Sequence, residues 1–143
     1  MSSGVKVDAT CAAEFEKMKM HHEYSYIIFK ITQQETKISV DKTAPKGTPY
    51  EDLVADLSAA ADNKECRYAA FDLDFTFNDK PKNKIVFIAW SPEGAKIKQK
   101  MIYTSSKDYL KKQLQLVIEL QATDMEELGV ANLIERAQRG MKD

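Results

Sequence analysis

Two carboxylates, Asp72 and Asp74, stand two residues apart in a segment of strand-like composition. On a strand both side chains project from one face, and two carboxylates held close together can raise the pKa of one of them. That arrangement could serve general acid–base chemistry, but the sequence shows no positioned nucleophile or oxyanion donor to work with it. The alternative, which we favour, is that both carboxylates accept hydrogen bonds at a sheet edge or from loop amides.

The other chemically versatile residues are arranged no better for catalysis. His21 and His22 are adjacent and must point in different directions, and no third ligand lies at a metal-site spacing. Cys11 and Cys66 lie among apolar residues, which predicts buried thiols and not nucleophiles. The five glycines are too far apart to form a phosphate-binding loop. We therefore expect a protein that is not an enzyme and that uses no metal or cofactor.

The bulk composition predicts one globular domain over residues 1–143, with a short flexible tail at residues 1–6. The chain is 43% hydrophobic and 30% charged, and its formal net charge of −1 does not favour nucleic acid as a partner. It has two cysteines, no signal-peptide pattern and no apolar segment long enough to cross a membrane. We expect a cytoplasmic protein without a transmembrane segment.

The residue pattern predicts the element order α-β-β-α-β-β-α-β-α. Asp8 can cap a first helix, and residues 48–51 form a capping-box pattern before a second one. Strand-like segments occupy residues 24–31, 37–41, 67–77, 84–90 and 116–122, and residues 78–83 have the composition of a turn with a basic tip. Helical periods cover residues 93–112 and 130–137. This order predicts an α/β (α+β) fold with a central mixed sheet of about five strands and helices on both faces.

Positive charge is concentrated in residues 93–112, which hold six lysines against Glu93 and Asp108. At about 100° per residue, Lys96, Lys100, Lys107 and Lys111 fall within roughly 60° of arc, while Ile97 and Met101 define a separate apolar stripe on which the helix could pack. Charge patterning alone does not distinguish a partner-binding surface from a solvated face.

The same segment carries a long ordered motif. Residues 90–108 read Trp-Ser-Pro-Glu-Gly-Ala-Lys-Ile-Lys-Gln-Lys-Met-Ile-Tyr-Thr-Ser-Ser-Lys-Asp, which resembles the pattern of the actin-depolymerising factor/cofilin family. The resemblance extends through residues 3–5, 66–72, 84–90, 121–124 and 135–140, and so covers essentially the whole chain.

The resemblance implies a single ADF-homology domain that binds actin monomers and filament sides, prefers ADP-bound actin, and severs and depolymerises filaments. It implies contacts with both monomer and filament from Ser3, Gly4, Val5, Lys98, Lys100 and Met101. It implies filament-specific contacts from Lys82, Lys84, Glu135, Arg136 and Arg139. Ser3 matches the family's regulatory phosphorylation site, where added negative charge should weaken binding to acidic actin.

The resemblance also implies a monomeric protein of the actin cytoskeleton whose lysines phosphoinositide headgroups could capture in competition with actin. The chain departs from the family pattern in two places. Lys96 occupies a position where many relatives have proline. The basic insertion that directs vertebrate members into the nucleus has no counterpart, so nuclear entry is unsupported. The alternative is a monomer-sequestering or phosphoinositide-binding module without severing activity. Retention of Lys82, Lys84, Arg136 and Arg139 argues against that alternative.

Overall fold

The computed structural model describes residues 4–32, 34 and 36–141. This part of the chain forms six strands: β1 (Lys6–Val7), β2 (Tyr24–Thr32), β3 (Lys37–Pro45), β4 (Arg67–Phe77), β5 (Lys80–Trp90) and β6 (Glu119–Ala122). They form one sheet in the order β1-β3-β2-β4-β5-β6. The pairs β3 with β2, β2 with β4 and β4 with β5 are antiparallel, whereas β1 with β3 and β5 with β6 are parallel, so the sheet is mixed.

Four α-helices cover the two faces of this sheet in the described residues. They are α1 (Ala9–His21), α2 (Tyr50–Asp62), α3 (Ile97–Leu114) and α4 (Val130–Gln138). Because side chains alternate along a strand, β5 contributes Val86, Ile88 and Trp90 to the core beneath α2 and α4. Phe87 enters the core beneath α1 and α3. Burial of β5 on both faces confirms the expectation of a central strand, and the predicted fold class is confirmed with one more strand than expected.

The additional strand lies at the amino terminus, where a flexible tail was expected to extend to residue 6. Val5 is 2% exposed, the Lys6 main-chain N–H donates to the Thr36 carbonyl at 2.9 Å, and the Asp8 N–H donates to the Ile38 carbonyl at 2.8 Å. Two residues are too few to show the alternation by which a strand is recognised in sequence. Ordered structure therefore begins earlier than the sequence pattern predicted.

The two predicted helix starts had different outcomes. Asp8 caps α1 as expected, since its Oδ1 accepts from the Thr10 N–H at 2.9 Å. The capping box at residues 48–51 is wrong. Pro49 itself occupies the cap position with extended backbone angles, and the Thr48 hydroxyl donates to the Pro45 carbonyl at 2.7 Å. Thr48 closes the preceding loop, so its oxygen is not used to cap the helix.

The turn between β4 and β5 is tighter than the predicted residues 78–83. It consists of Asn78 and Asp79, whose φ values are 51° and 64°. These two residue types tolerate the left-handed conformation that a two-residue hairpin turn requires. Lys82 and Lys84 therefore lie within β5, paired with Phe75 and Leu73 of β4, and do not form the tip of a loop. None of the described helices is both long and apolar enough to span a membrane.

Candidate functional site

The helix that carries the sequence motif begins later than expected. The prediction started it at Glu93, but α3 begins at Ile97, and Lys96 caps it in an extended conformation with φ −62° and ψ 142°. The Lys96 N–H donates to the Lys64 carbonyl at 3.2 Å. The Gln99 side-chain oxygen accepts from the Cys66 N–H at 3.2 Å. These bonds fix the first turn of α3 to the loop between α2 and β4.

The apolar stripe of Ile97 and Met101 does not pack on the protein, contrary to the prediction. The two residues are 76% and 68% exposed. The packing side of α3 is instead formed by Tyr103, Ser106, Leu110 and Leu114. Tyr103 anchors it, since its hydroxyl oxygen accepts from the Ile31 N–H at 2.9 Å and its carbonyl accepts from the Tyr68 hydroxyl. Ile97 and Met101 point away from the sheet because they occupy the opposite face of the helix.

The exposed apolar pair is accompanied by the two lysines that the resemblance singled out. Lys98 is exposed and Lys100 is half-buried. The Lys100 ammonium donates to the Glu93 carbonyl at 2.7 Å, which uses one of its three N–H donors. An apolar centre bordered by cations is suited to a partner that offers an apolar pocket beside carboxylates.

Two lysines in the second half of α3, Lys107 and Lys111, are paired within the molecule. Lys107 and Lys111 donate to the two carboxylate oxygens of Glu119, at 2.8 Å and 2.5 Å. Burial alone would raise the pKa of Glu119, but the hydrogen bonds from Lys107 and Lys111 lower it to about 2. The predicted arc of lysines is therefore not one continuous surface. Sequence reasoning missed Glu119 because it lies in a different element from the lysines.

Gly4 and Val5, two of the residues expected to contact actin, lie at the same end of the sheet as the start of α3. β1 runs beside the beginning of β3, and that end also holds Arg67 of β4 and Trp90 of β5. Gly4 is exposed with φ 77°. Val5 is buried as a whole residue, so the structure exposes almost none of it to a partner. Ser3, the expected phosphorylation site, lies outside the described residues.

A second group of predicted residues lies elsewhere on the molecule. Lys82 and Lys84 share the strand face of Val86 and Ile88, which is the face covered by α4. On α4 and just after it, the Glu135 carboxylate lies 2.7 Å from Arg139 Nε and 3.5 Å from Arg136 Nε. With a rise of about 3.3 Å per residue, Lys82 lies roughly 26 Å along β5 from Trp90, near which α3 begins.

Asp72 and Asp74 do share one face, as predicted, and the side chain of Asn83 holds them together. Its Nδ2 donates to Asp72 at 2.6 Å and to Asp74 at 2.9 Å. His22 Nδ1 lies 2.8 Å from the other oxygen of Asp72, a partnership across fifty residues that no local pattern could show. These contacts favour the structural role that the sequence suggested. The four side chains line a cavity of about 460 Å³ between α1 and the loop before α2.

The cysteines are core thiols, as expected. Cys11 and Cys66 are both buried and free. Burial raises the pKa of the Cys11 thiol to about 11 and raises the pKa of Cys66 as well. Among residues 4–32, 34 and 36–141, no group of three or more His, Cys, Asp or Glu side chains is placed to hold a metal ion.

Comparison with known proteins shows the family to which this chain belongs. Residues 4–138 match the family model described as cofilin/tropomyosin-type actin-binding protein. The chain belongs to the actin-depolymerising factor/cofilin family.

Individual relatives match along nearly their whole length. The chain is 38% identical to actophorin of Acanthamoeba castellanii over 98% of this chain and 99% of that protein. It is 42% identical to actin-depolymerizing factor 5 of Arabidopsis thaliana over 95% and 94% of the two chains. The crystal structure of Streptomyces griseoflavus cofilin superimposes with a TM-score of 0.84 at 36% identity, covering 96% of this chain and 99% of that one.

Proposed function

We propose that this chain binds actin monomers and the sides of actin filaments, and that it severs and depolymerises those filaments. The observation that carries the proposal is the exposed pair Ile97 and Met101 on α3, bordered by Lys98 and Lys100. Exposed apolar side chains at the centre of a charged surface are typical of a protein-binding site. The family model and the relatives named for actin depolymerisation support actin as the partner.

The position of the second surface supports filament binding in addition to monomer binding. We call the exposed residues at the start of α3, which are Ile97, Lys98, Lys100 and Met101, the α3 surface. This surface and the surface formed by Lys82 and Lys84 lie on opposite faces of the sheet and near opposite ends of β5. One actin subunit would meet the α3 surface together with Gly4. A neighbouring subunit in the filament would meet Lys82, Lys84 and the α4 residues, which have no role with a lone monomer.

Such a protein changes actin without breaking a covalent bond. A ligand that contacts two subunits favours the filament geometry in which both contacts are made, and it shifts the population toward that geometry. Preference for ADP-bound subunits follows the same logic, because the state that is bound more tightly becomes more populated. Filaments held in a geometry that weakens contacts between subunits would break and lose subunits.

Control of this function would act on the α3 surface. Ser3 immediately precedes Gly4 in the sequence, and a phosphate on Ser3 would add about −1.5 to −2 charges to a protein whose partner, actin, is acidic. Phosphoinositide headgroups would compete for Lys98 and Lys100. We propose a monomeric protein associated with the actin cytoskeleton in the cytoplasm, with no nucleic-acid partner and no catalytic activity.

Co-sedimentation with actin filaments tests the proposal. We expect the wild-type protein to pellet with filaments and to increase the actin left in the supernatant. Lys98→Ala combined with Lys100→Ala should abolish both effects while the circular dichroism spectrum remains that of the wild type. Lys112→Ala, which removes an exposed lysine from the far end of the same helix, is the matched control and should behave as wild type.

Two results would contradict the proposal in different ways. A double variant that still pellets with filaments would contradict the assignment of α3 as the binding surface. A wild-type protein that binds monomers but leaves filaments intact would support the monomer-sequestering or phosphoinositide-binding alternative.

A further inference from the structure

The Glu119 carboxylate collects contacts from two elements at once. It accepts hydrogen bonds from Lys107 and Lys111 on α3, and from Gln121 Nε2 at 2.7 Å on its own strand. Lys107 and Lys111 are four residues apart and so stand one above the other on the helix surface. A single acidic residue therefore fastens a full turn of α3 to β6.

Lys107, Lys111 and Glu119, which we call the joint, are largely buried. The side chains of Lys107, Lys111 and Glu119 are 16%, 18% and 15% exposed. One carboxylate is shared by two lysines whose Cβ atoms are about 5–6 Å apart, so it offsets only part of their positive charge. Loss of the negative charge would leave two half-buried cations facing each other, which is far more costly than loss of the whole group.

The same residue also joins the second surface. The Glu119 carbonyl accepts from Arg136 Nη1 of α4 at 3.4 Å, and β6 pairs with β5 from Phe87 to Trp90. Glu119 is thus the residue at which α3, β6 and α4 meet.

The length of α3 converts a small movement at this joint into a large one at the binding surface. Ile97 lies ten residues from Lys107, about 15 Å along the helix. A tilt of roughly 10° about the joint would move the first turn by about 2–3 Å over that length. Displacements of this size remove well-matched contacts, since even about 1 Å of misplacement can have large effects.

We infer that Glu119 is a positioning residue for actin binding: it does not contact actin, and by holding Lys107 and Lys111 it acts together with the bonds of Lys96 and Gln99 to set the direction in which α3 presents its exposed residues. These exposed residues are Ile97, Lys98, Lys100 and Met101. The inference rests on the proposed function. It also assigns Lys107 and Lys111 a role different from that of the lysines at the start of the helix.

Two variants separate positioning from direct contact. Glu119→Gln keeps the size of the side chain, removes the negative charge and leaves two cations unpaired. We expect it to lower the affinity for both monomers and filaments by about tenfold, within the range found for coupled neighbouring residues. Amide hydrogen exchange, measured without actin, should become faster in residues 97–114 than in the wild type.

The triple variant Glu119→Gln, Lys107→Met, Lys111→Met removes all three charges and keeps the long side-chain stems that pack the joint. Replacement of a complete charge group by apolar side chains of similar size is often tolerated. We expect its affinity for actin to return to within about threefold of wild type, because the removed charges do not meet actin. Glu16→Gln, at an exposed position on α1, is the control for loss of one acidic side chain.

The outcomes are separable. If the triple variant binds as poorly as E119Q, or more poorly, the charges contact actin directly and the inference is wrong. If E119Q binds actin as tightly as wild type, the joint does not position α3 and the inference is also wrong. If E119Q does not fold, the triple variant is compared with wild type alone: an affinity within about threefold of wild type supports the inference, and a lower affinity overturns it. A wild-type protein that fails to bind actin overturns the proposed function itself, whereas wild-type binding with unchanged E119Q overturns this inference alone.

Discussion

The two halves of α3 use the same residue types in opposite ways. In the first half, Ile97 and Met101 are exposed and Lys98 lies on the surface. In the second half, Leu110 and Leu114 are buried and two lysines are paired with Glu119. One continuous helix thus consists of a segment with exposed apolar side chains and a segment that packs on the rest of the fold.

The difference shows that a periodic run of lysines does not by itself identify a binding surface, because some of the lysines can be paired inside the molecule. All the lysines of residues 93–112 contribute equally to local charge in the sequence. In the folded chain, a carboxylate from β6 removes two of them from the cations that a partner could meet. The same reasoning applies to apolar residues, because helical spacing identifies a stripe without showing whether the protein or a partner covers it.

The largest expected effect is a loss of actin affinity that leaves the free energy of unfolding unchanged. Ile97→Ala combined with Met101→Ala should weaken binding to actin monomers and filaments by about 50-fold, since each side chain buries apolar surface only in the complex. The free energy of unfolding should hardly change, because both side chains are already in water. Isothermal titration with monomeric actin and thermal unfolding of the free protein measure the two quantities.

The matched control lies on the buried side of the same helix. Leu110→Ala should lower the free energy of unfolding by roughly 2–5 kcal/mol through the cavity it leaves, while the folded fraction still binds actin normally. A Leu110→Ala protein that remains as stable as wild type, or an Ile97/Met101 variant that loses stability instead of affinity, would reverse our assignment of the two faces.

Local sequence signals recovered the elements but not the partners of their side chains. The continuous apolar run before Trp90 predicted a strand buried on both faces, and Asp8 predicted the start of α1, because each signal lies within a few residues. The packing stripe of α3 was also present in the sequence as Tyr103, Leu110 and Leu114. Without the sheet, however, this stripe could not be ranked above Ile97 and Met101.

Irregular backbone and distant contacts account for most of what sequence reasoning missed. β3 extends to Pro45, beyond the predicted residue 41. The prediction stopped too early because the pairing with β2 shifts register next to Asp41, and this irregularity interrupts the alternation of side chains that marks a strand. The contacts of Glu119 with Lys107 and of His22 with Asp72 join separate elements. Such pairs are set by the fold and leave no local pattern.

Acid should weaken the second half of α3 through Glu119. The pKa of this carboxyl is lowered from its ordinary value of 4.5 to about 2 in the folded chain, so between these values the unfolded chain binds more protons than the folded one. The stabilisation is therefore complete above about pH 5 and is lost as the pH falls toward 2, by about 3 kcal/mol. Urea unfolding at pH 6, 4 and 3 should show a smaller pH dependence in E119Q than in wild type. Equal pH dependence in the two proteins would contradict the charge pairing seen at Glu119.

The smallest expected effect concerns the surface distant from α3, and it tests whether the two surfaces act on different actin subunits. Lys82→Ala combined with Lys84→Ala should weaken filament binding by about fivefold, as expected when two partly exposed cations are removed from an interface. Monomer binding should be unchanged, because these lysines lie on the opposite sheet face from α3, near the other end of β5. Lys80→Ala, at an exposed position next to the turn of the same hairpin, is the control for charge alone. If the double variant loses affinity for monomers and filaments equally, both surfaces must contact a single actin subunit, and the separation of roles along β5 would have to be abandoned.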